Sequence, residues 1–270
     1  MSTYRICSWN LANAVGDETS GVGRYGLRMS RQIDLLKTLH VDLLMLQEIR
    51  TCKDESGEGI LEPKDIIYRF SKDLKLEIGG MERINTTDLT FWRATLYNPK
   101  TLWSGATIPV RSFNWSKSYT FDKDFGRMIL YNQFAPYDAK TQTIEGHRCF
   151  WMGNLHFPLK LPDKYAYIDL LQKSMPSDPL IMAGDCNVFM DDHGAEQLAK
   201  MSELGLTEIT TTNHITSTFV SFPWDKVQTK SHLDYAFIRP QNLMIKDVHV
   251  VDVSDTQISD HFPLIFDLTI

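Results

Sequence analysis

Short apolar runs and amphipathic segments alternate at the start of the chain. Tyr4–Trp9 and Leu43–Leu46 are largely apolar runs of strand length, a pattern typical of buried strands. Between them, apolar residues recur at helical spacing over residues 28–39. Another helix is predicted to begin at Pro63, because proline is favoured in the first turn of a helix. The pattern therefore predicts a strand, a helix, a strand and a helix in that order.

The same order of elements recurs in the second half of the chain. The middle predicts strands at Leu89–Tyr97, Arg127–Phe134 and Arg148–His156. Next come a helix over 165–175, a buried strand at Leu180–Ala183 and a helix near 194–204. The last predicted strands are Ser217–Phe222, His232–Ile238, Val248–Val253 and Phe262–Leu268. A strand–helix order that occurs twice predicts two α/β halves whose sheets pack face to face, with helices outside.

Composition narrows the class of protein. The chain has 270 residues, of which 43% are hydrophobic and 23% charged, and these proportions exclude disordered and collagen-like chains. We interpret residues 1–270 as one domain and expect a monomer. The chain has no apolar run long enough to span a bilayer and no apolar leader after its first residues. We therefore expect an intracellular, cytoplasmic protein.

The number and spacing of the cysteines also favour an intracellular location. Cys7, Cys52, Cys149 and Cys186 are too few and too scattered for a disulfide framework or a zinc site. All except Cys52 lie in apolar, strand-like runs, and we expect these three to be small core residues. A reducing compartment fits this usage best.

Polar side chains interrupt or flank the apolar runs close to the ends of predicted strands. These residues are Asn10, Glu48, His156, Asp185, Asn187, Asp234, Asp260 and His261. Taken singly, such an Asp or Asn is more often a turn former, and such a His is more often structural, than catalytic. Each is expensive to bury without a partner. If they meet at one edge of adjacent strands, they can pair with one another or with a cation.

Six segments resemble, in order, the motifs of the endonuclease/exonuclease/phosphatase superfamily. They are SWNLAN (8–13), LQEIR (46–50), NLHFP (154–158), GDCNVF (184–189), HLDYAFI (232–238) and SDHFPLIFDL (259–268). The resemblance implies a four-layer α/β sandwich of the deoxyribonuclease I type and a metal-dependent phosphoester hydrolase. His156 is similar to the histidine of the branch that includes deoxyribonuclease I and the neutral sphingomyelinases; abasic endonucleases carry a tyrosine there.

The resemblance also implies a metal site. Glu48 resembles the principal Mg²⁺ ligand of the family, with Asn10 and Asp260 beside it. Mg²⁺ keeps several of its waters, so one or two carboxylates together with substrate oxygens suffice to bind it. Mn²⁺ is a possible substitute for Mg²⁺ in such a site.

The remaining motif residues carry catalytic roles by the same resemblance. Asp185 resembles the residue that orients or deprotonates the attacking water, and Asn187 the residue that holds the phosphate. His261 is expected to pair with Asp234, and then either to bind a nonbridging oxygen or to transfer a proton. His156 is expected to help neutralise the phosphoryl oxygens. Together with the metal, these groups supply what phosphodiester hydrolysis requires.

The substrate class stays open at this stage. We favour a phosphodiester in a nucleic acid or nucleotide; the alternative is a phospholipid or inositol-phosphate head group, with the aromatic stretch Ser112–Phe125 as the loop that would contact lipid. A non-catalytic binding module on the same scaffold is a remote alternative, because all the expected polar positions are filled. The net charge of −6 argues against a surface that grips long nucleic acid. A short, metal-bridged phosphoester therefore fits best, and no protein partner is predicted.

Overall fold

Helices and strands alternate along the chain. A computed structural model of the protein describes residues 2–11, 24–53, 59–85, 90–110, 129–158, 161–176, 179–189, 192–210, 213–220, 230–239, 243–254 and 258–270. The helices are α1 (Arg24–Leu39), α2 (Pro63–Leu74), α3 (Leu161–Ser174) and α4 (Asp192–Glu203), with a short 3₁₀ helix at Gly146–Arg148. The strands are β1 (Thr3–Asn10), β2 (Leu43–Ile49), β3 (Cys52–Lys53), β4 (Ile60–Leu61), β5 (Glu77–Asn85), β6 (Thr90–Tyr97), β7 (Leu102–Val110), β8 (Ile129–Asp138), β9 (Thr143–Ile144), β10 (Phe150–His156), β11 (Leu180–Asp185), β12 (Thr207–Glu208), β13 (Phe219–Val220), β14 (Lys230–Ser231), β15 (Asp234–Arg239), β16 (Met244–Val250) and β17 (Leu264–Thr269).

Two mixed sheets form the body of the fold. The first sheet has the strand order β16-β17-β1-β2-β6-β5, and the second has the order β12-β15-β11-β10-β8-β7, with β9 beside β8. Each sheet contains a parallel pair, β1 with β2 and β10 with β11, and its other pairings are antiparallel. A helix connects the strands of each parallel pair, since parallel neighbours need a crossover. The two halves predicted from the sequence correspond to these two sheets with their helices, except that the last two strands, β16 and β17, join the first sheet.

Three apolar clusters hold four layers together. Ile33 of α1 and Phe70 of α2 pack on the outer face of the first sheet. Ile6 of β1 and Phe150 of β10 lie in the cluster between the sheets. Leu171 of α3 packs on the outer face of the second sheet. Successive strand residues point to opposite faces, so strands covered on both faces carry the nearly continuous apolar runs seen in the sequence. The four-layer α/β sandwich is therefore confirmed.

The predicted elements are largely present, with shifted ends. α2 begins at Pro63 as predicted and buries most of its apolar stripe, whereas α1 begins at Arg24 rather than at residue 28. The strand predicted at Val248–Val253 is displaced, because the observed strand is Met244–Val250. That strand lies at the edge of its sheet and much of it is exposed, so its apolar signal is weak. The described residues contain no helix long and apolar enough to cross a bilayer.

Other predictions fail or fall outside the described residues. β5 and β7 were not predicted from the sequence; they are edge strands of the two sheets and lack a clear apolar alternation. Cys149, expected in the core, is only partly buried, whereas Cys7 and Cys186 are buried as predicted. The stretch Ser112–Phe125 and the first residues of the strand Arg127–Phe134 lie outside the described residues.

A buried amide joins the two sheets beneath their strand ends. Asn154 of β10 donates through Nδ2 to the main-chain oxygens of Leu46 (3.2 Å) and Ala94 (3.0 Å) in the first sheet. Its Oδ1 accepts a hydrogen bond from Gln47 Nε2 at 2.9 Å. Its main-chain oxygen accepts one from Arg93 Nη1 at 3.1 Å. Because these hydrogen bonds are buried and directional, they fix how the sheets align.

Arg93 is also half of a buried ion pair, which generates a prediction about stability. Its Nη2 lies 3.1 Å from Glu82 Oε2, and the two side chains are 0% and 6% exposed. Arg93→Met would leave Glu82 buried without its cation, so we expect the free energy of unfolding to fall by roughly 3–5 kcal/mol. Urea denaturation measures this change. Lys37→Met, which breaks an exposed pair with Asp34, is the control and should change stability by less than about 1 kcal/mol. A loss for Arg93→Met no larger than that of the control would contradict the role of this pair.

Candidate active site

Strand register in the second sheet aligns three predicted site residues. His156 at the end of β10 lies opposite Asp185 at the end of β11, and Asp185 lies opposite Asp234 at the start of β15. Directly opposed residues of neighbouring strands present their side chains on the same face of the sheet. His156 Nε2 and Asp185 Oδ2 are 3.5 Å apart, and all three side chains are buried. These three side chains therefore lie side by side at one end of the strands of the second sheet.

The first sheet brings its own strand ends to the same place. Asn10, the last residue of β1, is paired in register with Gln47, which precedes Glu48 on β2. Asn10 Nδ2 donates to Asp185 Oδ2 at 3.0 Å. Glu48 Oε1 lies 3.2 Å from His156 Nε2. The two sheets thus meet through polar contacts at the carboxyl ends of their parallel strands.

Glu48 has an unusual backbone. Its φ of +53° lies in the left-handed region, which is uncommon for residues other than glycine. The pairing of β2 with β6 is irregular at this point, with a shift in register between Leu46 and Ile49. The Glu48 carboxylate is also held at 3.3 Å by Arg50 Nη2. Backbone conformations of this kind persist where the surrounding structure enforces them, often at functional sites.

Asp185 is held by the segment that follows it. The main-chain N–H of Asn187 donates to Asp185 Oδ1 at 2.8 Å, and Asn187 Nδ2 donates to Asp185 Oδ2 at 3.1 Å. Asn187 Nδ2 also donates to the main-chain oxygen of Phe157 at 3.0 Å, so both of its amide hydrogens are used. Asn187 therefore orients Asp185 in this arrangement, and the phosphate-holding role stays a prediction. Gly184 is required before it, because a Cβ there would lie 2.0 Å from the oxygen of Leu155.

His261 completes the cluster from the segment before β17. Its Nδ1 lies 2.8 Å from Asp234 Oδ2, as the predicted pairing requires, and its Nε2 lies 3.9 Å from Asp185 Oδ2. The main-chain oxygen of His261 accepts a hydrogen bond from Trp9 Nε1 at 2.9 Å. The Phe219 ring packs edge-on against the imidazole, with ring centroids 5.1 Å apart. The imidazole is thereby fixed with Nδ1 toward Asp234 and Nε2 toward Asp185.

Comparison with known proteins assigns the family. Residues 7–261 match the model of the Endonuclease/Exonuclease/phosphatase family. The chain belongs to this family. No match was found among the curated proteins.

Solved structures of other proteins share the fold across nearly the whole chain. A family member from Bacteroides vulgatus is 14% identical, with a TM-score of 0.66 and 100% of each chain covered. TDP2 of D. rerio, complexed with single-strand DNA product, is 14% identical, with a TM-score of 0.63 and 100% of each chain covered. A mannosyl-6-phosphatase from Bacteroides thetaiotaomicron is 16% identical, with a TM-score of 0.58, and the match covers 99% of this chain and 100% of that one. At these identities the similarity shows the fold alone.

Burial and charge shift the pKa values of two residues at the centre of this cluster. Burial, reinforced by Asp234 and Glu48, raises the pKa of Asp185 to about 7 even though His261 lowers it. For His261, burial lowers the pKa, but the charges of Asp234 and Asp185 outweigh it and raise the pKa well above its ordinary value. A carboxylate and an imidazole shifted in this way are typical of acid–base pairs in active sites.

Two further carboxylates, those of Glu48 and Asp260, are candidate ligands for a divalent cation. Burial opposes ionisation of Glu48, but His156 and Arg50 lower its pKa below the ordinary value, so Glu48 is ionised. Burial and Glu48 raise the pKa of Asp260, although His261 opposes the shift. Asp260 Oδ1 is buried and has no hydrogen-bond partner among the described residues. Buried carboxylate oxygens of this kind are ligands that suit Mg²⁺.

A second group of side chains could also hold an ion. One ligand atom each from Asp185, Asp234 and His261 lies within 4.8 Å of the others. In this group, however, His261 Nδ1 already contacts Asp234 Oδ2. Mg²⁺ prefers oxygen to imidazole ligands, whereas imidazole suits transition metals. The geometry therefore favours an acid–base assignment for His261 and Asp234.

Two neighbours of the site, Arg50 and His232, are not among the predicted site residues. Arg50 lies over the Phe91 ring, 4.2 Å from its centroid, while it contacts Glu48. His232 Nε2 lies 3.0 Å from the main-chain oxygen of Asp234 and its ring stacks on Tyr235. Burial lowers the pKa of His232, so it supports the Asp234 backbone as a neutral ring. The signal for Arg50 was its place two residues beyond a predicted ligand.

The pairing of Asp234 with His261 predicts the pH dependence of catalysis. Because Asp234 raises the pKa of His261, the wild type should stay active at pH values where an unpaired imidazolium would have lost its proton. Asp234→Asn should move the alkaline limit of the kcat/KM profile to lower pH and reduce kcat on the order of 10²-fold. Asp169→Asn on the exposed face of α3 is the control. An unchanged alkaline limit in Asp234→Asn would show that this pairing does not set the protonation of His261.

Proposed function

We propose that the protein is a Mg²⁺-dependent phosphoester hydrolase that cleaves a phosphodiester of a nucleic acid or nucleotide. The observation that carries this proposal is the position of Asp185. Its carboxylate accepts hydrogen bonds from Asn10 and Asn187 and lies within 4 Å of His156 and His261. Attack of water on phosphorus needs a base, a cation and a proton donor held together, and the side chains around Asp185 can provide them.

The side chains divide this chemistry among them. Asp185, with its raised pKa, accepts the proton of the attacking water, while Asn10 and Asn187 keep the carboxylate in place. His261 holds a proton at Nε2, because its Nδ1–H donates to Asp234 and its pKa is raised. That proton is donated to a nonbridging or leaving oxygen of the phosphoester.

A metal site beside these groups supports the metal dependence. Glu48, with Asn10 and Asp260, would hold Mg²⁺ at the ends of β1 and β2. When bound, Mg²⁺ would neutralise charge on the phosphoryl oxygens and stabilise the leaving oxygen. His156, 3.2 Å from Glu48 and 3.5 Å from Asp185, links the metal ligand to the base.

Two structurally similar proteins suggest which substrates to consider. TDP2 of D. rerio, complexed with single-strand DNA product, supports a short single-stranded end or a nucleotide. The net charge of −6 agrees with a short substrate, because gripping long nucleic acid depends on a basic surface. The mannosyl-6-phosphatase of Bacteroides thetaiotaomicron favours a sugar phosphomonoester as the second candidate. Phospholipid and inositol-phosphate head groups belong in the same test.

The first prediction concerns the metal and the base. Chelation should abolish hydrolysis, and Mg²⁺ or Mn²⁺ should restore it. Asp185→Asn should lower kcat by roughly 10²–10⁴-fold. Because both carboxylate oxygens accept hydrogen bonds that an amide nitrogen cannot accept, circular dichroism of the variant is measured alongside activity to establish that it is folded. Asp65→Asn on the exposed face of α2 should retain full activity. Activity that survives chelation would exclude the metal assignment, and full activity in Asp185→Asn would exclude the proposed base.

The second prediction concerns the substrate class. The purified protein with Mg²⁺ is assayed on single- and double-stranded DNA, RNA, dinucleotides, sugar phosphates, sphingomyelin and phosphoinositides. We expect the highest kcat/KM on short single-stranded or dinucleotide phosphodiesters. Hydrolysis confined to sugar phosphates would establish the second candidate, and hydrolysis confined to lipid vesicles would replace both.

A further inference from the structure

Lys164 is a buried charge outside the group of residues considered so far. It lies on α3 and is 5% exposed. Lysine is rarely buried unless its ammonium group is compensated, because an unpaired charge in the interior is expensive. The Lys164 ammonium donates to the main-chain oxygen of Asn187 and lies 5.8 Å from the centroid of the Phe189 ring. The segment that carries Asp185 therefore contributes to this compensation.

Lys164 donates its hydrogen bond to Asn187, a residue with an unusual backbone conformation. Asn187 has a φ of +49°, in the left-handed region that asparagine tolerates better than most residues. In this conformation its N–H reaches back to Asp185 Oδ1 and its side-chain amide reaches Asp185 Oδ2. Asn187 thus contacts both oxygens of the Asp185 carboxylate, while Lys164 holds its carbonyl from the other side.

We infer that Lys164 is a positioning residue for the proposed reaction. It fixes the left-handed conformation of Asn187, and through Asn187 it fixes the Asp185 carboxylate toward the attacking water. Lys164 acts on Asp185 indirectly, because its ammonium contacts the Asn187 carbonyl rather than Asp185. The inference rests on the proposed function, in which Asp185 is the base. It gives a role to a charged side chain that lies beside the apolar residues packed by α3 on the second sheet.

A structural role and a positioning role of Lys164 predict different effects on kcat when its charge is removed. Methionine matches the length and the apolar stem of lysine, so Lys164→Met removes the charge and the hydrogen bond without leaving a large cavity. Because a desolvated ammonium is removed, we expect the melting temperature to stay the same or rise. If Lys164 positions Asp185, kcat should nevertheless fall roughly 10- to 100-fold, since small displacements of a catalytic group are costly. KM should stay within about twofold of the wild type, because Lys164 does not contact the substrate.

The experiment compares Lys164→Met, Lys164→Arg and Lys200→Met with the wild type. Lys164→Arg keeps a cationic donor and should recover much of the lost kcat. Lys200 lies on α4 with its ammonium 5.5 Å from the centroid of the Tyr165 ring, so Lys200→Met removes a similar cation–aromatic contact away from Asp185. It should leave kcat unchanged.

A second readout does not depend on activity. Amide hydrogen exchange of the segment 184–189 should accelerate in Lys164→Met and stay as in the wild type in Lys200→Met. An active wild type with equal kcat and equal exchange in Lys164→Met would overturn the inference, as would a kcat loss that follows unfolding. Faster exchange in Lys164→Met would still support it if the wild type hydrolysed none of the substrates, and the proposed function would then be the part that fails.

Discussion

Buried negative charge is the constraint on which the rest of the site depends. Four carboxylates lie where the two sheets join: those of Asp185, Asp234 and Asp260 are buried, and that of Glu48 is partly buried. Ionised carboxylates in such a place need compensation, because burial without it would cost several kcal/mol or more for each ion. His261 between Asp234 and Asp185, and His156 between Glu48 and Asp185, supply part of it. A divalent cation at Glu48 and Asp260 would supply the rest.

The fold explains why these charges meet at all. Each sheet has a parallel pair of strands built from a strand–helix–strand unit, and both pairs present their carboxyl ends at the same edge of the sandwich. Asn154 holds the alignment from below by bonding main-chain oxygens of two strands in the opposite sheet. Because the sheets are linked through directional, buried hydrogen bonds, Asn10 of one sheet reaches Asp185 of the other within 3.0 Å. The site is thus a property of the interface between sheets.

Much of this arrangement could be predicted from the sequence. Apolar runs covered on both faces predicted the central strands, and the order of motifs indicated the family. Side chains spread between Asn10 and His261 could be assigned to one site because each follows or begins a buried strand. The edge strands β5 and β7 were not predicted, because the faces of an edge strand are only partly buried. The apolar pattern of these two strands is correspondingly weak.

The local geometry of the site could not be predicted in the same way. Nothing in residue type indicates that Glu48 adopts a left-handed φ, because tertiary packing imposes that conformation against its local preference. Lys164 was also missed, since a lysine in an amphipathic helix is usually solvated and its burial depends on the loop after β11. The sequence likewise could not distinguish Asn187 as a ligand of phosphate from Asn187 as the support of Asp185.

The position of the cation is the most direct test of the proposed division between metal ligands and acid–base groups. Anomalous diffraction from a crystal of the protein grown with Mn²⁺ would locate the cation. We expect a peak within bonding distance of the Glu48 and Asp260 carboxylates, with His261 still bonded to Asp234. A peak among Asp185, Asp234 and His261 that separates this pair, or no peak at the ends of β1 and β2, would contradict this division.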